Sequence, residues 1–188
     1  MPNIEKSNGE INLTDGTWGI MLIDMQVGYV RGWRSNERDR LVESQVDVLG
    51  YATKNNLLVY AIMMKERGEY ISEIKSALEK VPRVIPFVKV NRQANAFAEE
   101  NSYMLEDTIR QAELKGLLMM GINARLCVWA TAIHVDNIGL RVATAHQLIG
   151  NTPMIYNHKD LTPIIEWFKQ RNGYVPDYKT LIGLNPET

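Results

Sequence analysis

The chain of 188 residues has a single cysteine and only three histidines. One cysteine excludes an intrachain disulfide framework and leaves one free thiol to be placed. The histidines, His134, His146 and His158, are spaced too widely for a local metal motif. The formal net charge is −1, so no global field favours nucleic acid or an anionic membrane. No apolar run reaches the length of a membrane span. Neither G-x-G-x-x-G nor a Walker A lysine motif occurs, which sets aside the usual nucleotide-binding α/β domains. The first ten residues lack the basic start and apolar centre of a signal peptide. These absences together lead to the expectation of a cytoplasmic protein with no membrane and no nucleic-acid partner.

What is present is an alternation of two periodicities. Apolar runs at 18–24, 57–64, 84–90, 116–122 and 140–145 read as buried strands. Pro86 suggests that the third lies at a sheet edge or starts late. Stretches at 38–55, 69–80, 104–115, 125–137 and 162–170 carry apolar residues at helical spacing. Residues 25–36 read as a loop, and 178–183 as a last strand. Residues 1–17 are polar and read as an N-terminal arm on one domain spanning 1–188. Strands alternating with helices predict an α/β fold with a parallel sheet.

Cys127 stands where the fourth strand gives way to a helix. The positive end of the helix dipole favours thiolate there, which makes Cys127 a candidate nucleophile. Free cysteine is also among the most buried residue types, so its partners have to decide. Asp24 ends the first strand and Lys89 the third. The strands of a parallel sheet all point the same way, so their C-terminal ends share one edge, where ligand sites form. A carboxylate at Asp24 can take the thiol proton and later pass it to a leaving amine. A nearby lysine favours the ionised forms of both. Attack on a carbonyl then needs donors for the oxyanion, such as backbone N–H groups at the helix start. Asp, Lys and Cys together suggest acyl transfer to a thiol, followed by hydrolysis.

Three pieces carry a family likeness: Leu22-Ile-Asp24-Met-Gln26, Val88-Lys89 followed by Asn95-Ala-Phe97, and Gly121-Ile-Asn-Ala-Arg-Leu-Cys127-Val128 with Ala130-Thr-Ala132 behind it. In this order and spacing, over about residues 18–148, the chain resembles the isochorismatase-like cysteine hydrolases, which include nicotinamidases and carbamoylsarcosine amidases. The resemblance implies a three-layer αβα fold with a six-stranded parallel sheet in the order 3-2-1-4-5-6. It implies Asp24 as proton shuttle, Lys89 as electrostatic partner and Cys127 as nucleophile. It also implies a cis peptide at Ile122-Asn123 and an oxyanion hole made by the backbone N–H groups of Asn123 and Cys127.

The departures are informative too. Nicotinamidases carry an Asp and two His metal ligands near the end of strand two, whereas residues 62–68 contain no histidine. No metal and no cofactor are therefore expected. Isochorismatases proper act on a vinyl ether and do not need the cysteine, so its presence favours amide or ureido substrates. The acidic residue common after strand five is missing, since the chain reads Thr144-Ala-His-Gln147. The expected function is a metal-independent cysteine hydrolase that cleaves a small amide, ureide or carbamoyl C–N bond through a thioester. The alternative is a catalytically weak relative that binds a metabolite or serves in an assembly. By analogy a homo-oligomer, dimer or tetramer, is expected.

Further residues are candidates around this set. Arg125, two residues before the cysteine, can hold a substrate carboxylate or face solvent. Tyr29, Trp33 and Trp129 can line a pocket, although aromatics are more often core or subunit contacts. Lys65, Glu66 and Arg67 read as a solvated charge run within reach of the pocket rim. His134 is seven residues beyond Cys127, roughly 10 Å along a helix. That is too far for a Cys–His pair, so it reads as structural.

Overall fold

The computed structural model describes residues 11–33, 35–155, 157 and 159–184. Most of the expected arm (1–10) and His158 lie outside the described residues. Leu13, near the start of the described chain, is fully buried in the core.

The strands are β1 Trp18–Ile23, β2 Val59–Met64, β3 Val84–Lys89, β4 Gly116–Ile122, β5 Arg141–Ala145, β6 Ile149–Gly150 and β7 Tyr174–Val175. The α-helices are α1 Val27–Val30, α2 Ser35–Asn55, α3 Ser72–Leu78, α4 Ser102–Gln111, α5 Trp129–Asn137, α6 Thr162–Lys169 and α7 Tyr178–Leu181. The sheet order is β3-β2-β1-β4-β5-β7, with short β6 pairing the C-terminal end of β4. All these pairings are parallel. The expected doubly wound order is therefore present, and Pro86 does sit on an edge strand.

Three layers follow from the period-two alternation of the central strands. Ile20 and Leu22 of β1, with Leu118, Met120 and Ile122 of β4, face one core. That core is closed by Val48, Leu49 and Ala52 of α2 and by Ile74 and Leu78 of α3. Met21 and Ile23, with Leu117 and Met119, face the other, which Leu105, Val135 and Phe168 cover from α4, α5 and α6. β1 and β4 are buried along their whole length, which is why each reads as an unbroken apolar run.

Two expectations are corrected. Residues 178–183 are not the last strand: that role falls to β7, which pairs Tyr174 with Thr144, and residues 178–181 form α7. Asp177 stops the extended chain by accepting the Lys179 N–H on its side chain, an N-cap that turns the backbone into a helix. Tyr178 and Leu181 then bury side by side at helical spacing. The expected loop 25–36 contains α1, and α2 begins at Ser35.

Candidate active site

The sheet brings Asp24, Lys89 and Cys127 to its C-terminal edge. Asp24 directly follows β1, Lys89 is the last residue of β3, and Cys127 lies in the π-helical turn Ala124–Val128 between β4 and α5. The Lys89 ammonium donates to Asp24 Oδ2 at 2.6 Å, and both side chains are fully buried. Asp24 Oδ1 is buried and has no hydrogen-bond partner among the described residues. The Cys127 thiol lies near enough for the two groups to perturb each other's acidity. Asp24 holds φ 57, a left-handed conformation that Asp tolerates better than most residues. Its amide donates to Ile62 O at 3.0 Å and its carbonyl accepts from Gln26 at 2.7 Å.

Burial governs the electrostatics. Desolvation raises the Asp24 carboxyl above its ordinary 3.8, and the Lys89 charge and hydrogen bond only partly oppose this. The Cys127 thiol is pushed up to about 12, first by burial and then by the Asp24 charge. Lys89 and the backbone N–H of Asn123 pull it the other way and lose. The helix start therefore does not yield a standing thiolate. The thiol rests as S–H beside a carboxylate more basic than usual.

The turn that carries the cysteine is pinned on several sides. Gly121 holds φ 136, and a Cβ there would lie 2.1 Å from Ile23 O, so only glycine allows β4 to pass the end of β1. The Ile122–Asn123 peptide is cis, at the expected place. The Asn123 carbonyl accepts from Leu126 and Val128, each at 3.1 Å. Its side chain accepts the Thr152 N–H at 2.9 Å, while Asn151 Oδ1 accepts the Arg125 N–H at 2.9 Å. β6 thus delivers two residues that lock the turn. The Arg125 guanidinium faces Asp160 at 3.9 Å.

The chain directly after Lys89 is held by Glu99, whose buried carboxylate accepts the Val90 and Asn91 N–H groups at 3.0 Å each. The nearby loop meets α5 where the Ala96 N–H donates to Thr131 Oγ1 at 3.2 Å. On the other side, fully buried Gln26 ties the end of β1 to the end of β2. Its amide group donates to the carbonyls of Met64 and Gly68, and its oxygen accepts the Met64 N–H at 2.7 Å. Tyr70 buries a hydroxyl with no hydrogen-bond partner among the described residues, and burial with the Asp24 charge holds its phenol up.

The remaining candidates separate. Tyr29 lies within the field of Asp24 and Cys127, and its phenol is pushed up to about 12, mainly by burial. The Arg67 guanidinium stacks over the Tyr29 ring, 4.8 Å from its centroid. Trp33 lines a different concavity, a cavity of about 650 Å³ bounded by α2, β6 and α7. Its indole donates to Glu37 at 3.2 Å. His134 stacks on Phe97 at 4.2 Å and meets Glu106 at 3.2 Å. Among the described residues, no group of three or more His, Cys, Asp or Glu side chains is placed to hold a metal. Nor is any helix among them long and apolar enough to cross a membrane.

Sequence reasoning missed the supports. Gln26 was visible inside Asp24-Met-Gln26, but its role depends on where β2 ends. Glu99, Asn151 and Thr152 left no signal, because an isolated Glu, Asn or Thr in a loop is ordinary.

No protein-family model and no curated protein matches the sequence. Solved structures do. The MAR1 ribonuclease of Caenorhabditis elegans aligns with a TM-score of 0.74 at 17% identity, over 94% of this chain and 84% of that one. A nicotinamidase of Staphylococcus aureus aligns at 0.65 and 16%, over 84% and 97% of the two chains. The N-carbamoylsarcosine amidase of Thermoplasma acidophilum aligns at 0.63 and 16%, over 85% and 94%. With several isochorismatase proteins among the other matches, this chain has the isochorismatase-like fold.

Proposed function

We propose that this protein is a cysteine hydrolase that cleaves the C–N bond of a small amide, ureide or carbamoyl compound. The observation that carries the reading is the fully buried Asp24–Lys89 ion pair, with the Cys127 thiol beside it. A dry ion pair is expensive to build and weak evidence for stability. Its place next to a cysteine at the switch-point edge gives it a chemical use. The fold alone selects no reaction, since the same architecture serves a ribonuclease and two amide hydrolases.

The steps follow from the acidities. A thiol with a pKa of about 12 is not ionised in advance, so its proton leaves as sulfur attacks the carbonyl carbon. The Asp24 carboxylate accepts that proton, and its raised pKa makes it a better base than an ordinary carboxylate. Lys89 offsets the charge that returns as the carboxylate is regenerated. Backbone N–H groups of Asn123 and Cys127 receive the carbonyl oxygen as it becomes anionic. Asp24 then returns the proton to the departing nitrogen, leaving a thioester on Cys127. Water, deprotonated by Asp24, cleaves that thioester and restores the thiol. Base, cation and nucleophile are all side chains of this chain, so the sequence of steps is complete without a metal.

The decisive test is Cys127→Ala on a panel of small amides and ureides. Turnover is expected to vanish while circular dichroism and thermal unfolding stay near wild type. A variant that keeps turning over would exclude the thioester route.

A further inference from the structure

The cavity of about 650 Å³ between α2, β6 and α7 lies apart from the Asp24–Lys89–Cys127 centre. Its size suits a small ligand. Trp33, Leu41, Ile149 and Leu161 give it an apolar wall. Trp33 is fixed in that wall. Its indole donates to Glu37 at 3.2 Å, and its ring packs on Gly150, where a Cβ would come within 2.9 Å of it. The charges of the lining do not balance. Glu37 is held by Trp33 and by Lys159, and Asp177 accepts the Lys179 N–H as the cap of α7. Glu43 is the remaining carboxylate, against the exposed Arg40 and the half-buried Lys179. Among the described residues neither cation has a carboxylate within ion-pair distance. His146, also on the lining, meets the Tyr174 hydroxyl at 3.3 Å. An aromatic wall beside surplus cations favours a flat anion.

The same cavity borders the turn that carries the thiol. Asn151 is on its lining and is 3% exposed. Its Oδ1 accepts the Arg125 N–H at 2.9 Å, two residues before Cys127. Thr152, beside it, donates its N–H to Asn123 Oδ1 at 2.9 Å. A ligand that stiffens β6 and Asn151 therefore also stiffens the backbone leading to the cysteine. Lys159, already bound to Glu37, takes no part in this contact.

We propose that this cavity is a second ligand site, for a small aromatic acid, and that its occupancy is passed through Asn151 to the turn of Cys127. The ring lies against Trp33, and the carboxylate meets Arg40 and Lys179. Arginine suits the anion because its planar fork can hold a carboxylate with two parallel hydrogen bonds. Neither half of the inference depends on the reaction that Cys127 performs.

The test is calorimetric titration of the full chain with 2-naphthoate and with the neutral 2-naphthylmethanol. Wild type is expected to bind 2-naphthoate about 10- to 100-fold more tightly, the range for a charged hydrogen bond. The double variant Arg40→Met, Lys179→Met should bring the two affinities together. Arg40→Met alone, at an exposed position, should lose part of the preference, and Arg67→Met, beside Tyr29, should keep it. No binding by wild type, equal binding of the two compounds, or a preference lost in Arg67→Met instead overturns the site. The link is read by hydrogen exchange and by iodoacetamide. Saturating 2-naphthoate should slow both exchange of the Arg125 amide and alkylation of Cys127 by about 5-fold or more, the lower end for coupled sites. The Val27 amide, bonded to Glu69 on another loop, should keep its rate. Equal slowing of the Arg125 and Val27 amides, or slowing of neither, overturns the link.

Discussion

Two polar regions sit along the same side of this molecule, and they are opposites. At the ends of β1, β3 and β4, a lysine and an aspartate are sealed from water at 2.6 Å beside a thiol whose pKa is driven to about 12. In the cavity of about 650 Å³ between α2, β6 and α7, Lys159 and Glu37 stand 3.6 Å apart, with Lys159 66% exposed. The second region has the room and the first has the perturbed acidities. Charges facing water are screened and lose little by being apart, whereas charges taken out of water change each other's protonation. The candidate constellation is therefore set apart by dryness and perturbed acidity rather than by the size of a hollow.

Four variants sharpen that contrast. Asp24→Asn removes the proposed base and should lower turnover by about 100- to 10,000-fold. The same change removes a negative charge that holds the thiol up, so alkylation of Cys127 by iodoacetamide at pH 8 should accelerate. Turnover and alkylation falling together would break the picture. In the proposed mechanism Asp24 acts in its deprotonated form. Its pKa lies above 3.8, so kcat/KM should fall with decreasing pH earlier than an ordinary carboxylate would allow. The thiol stays protonated up to about 12 and should add no limb near neutrality.

Lys89→Met leaves Asp24 buried without its cation. Equilibrium denaturation should show a loss of about 3–5 kcal/mol, and an unchanged midpoint would mean that the pair is wetter than its geometry suggests. Glu99→Gln keeps the shape but weakens the two charge-assisted bonds from Val90 and Asn91. A loss of about 1–2 kcal/mol is expected, together with a lower kcat, because the chain directly after Lys89 loosens. At the wet end of the comparison, Lys159→Ala should cost about 0–1 kcal/mol. Turnover should not change, and a large drop would tie the cavity to the reaction after all.

Much of the fold was legible. β1, β2 and β4 are buried on both faces, so their sequences are continuous apolar runs that cannot be mistaken for half-exposed helices. α2 and α4 kept the helical stripe that one buried face requires. The misreading of 178–183 has a local cause: Tyr, Thr and Ile favour strands, but in Tyr178-Lys-Thr-Leu-Ile the apolar residues fall at helical spacing, and the Asp177 cap turns the chain. The short α1 and β6 carry too few residues to show any period.

The site was legible in part, for the same physical reason. A residue that ends a strand in a parallel sheet is delivered to a known edge, so Asp24, Lys89 and Cys127 could be named from position and motif. The meeting of Asp24 with Lys89 required β3, β2 and β1 to lie in that order, which depends on contacts far apart in the chain. The state of the cysteine depended on more still. Read locally, a thiol at a helix start is a thiolate; in three dimensions burial and the Asp24 charge outweigh the helix and keep its proton on. Likewise Arg125, near in sequence, faces Asp160, while Arg67, 60 residues from Cys127, stands on Tyr29 within the field of the site. Local pattern determined which strands exist and which reactive groups their ends carry. Tertiary structure decided which charges meet out of water, because desolvation belongs to the whole surrounding shell and to no segment of the chain.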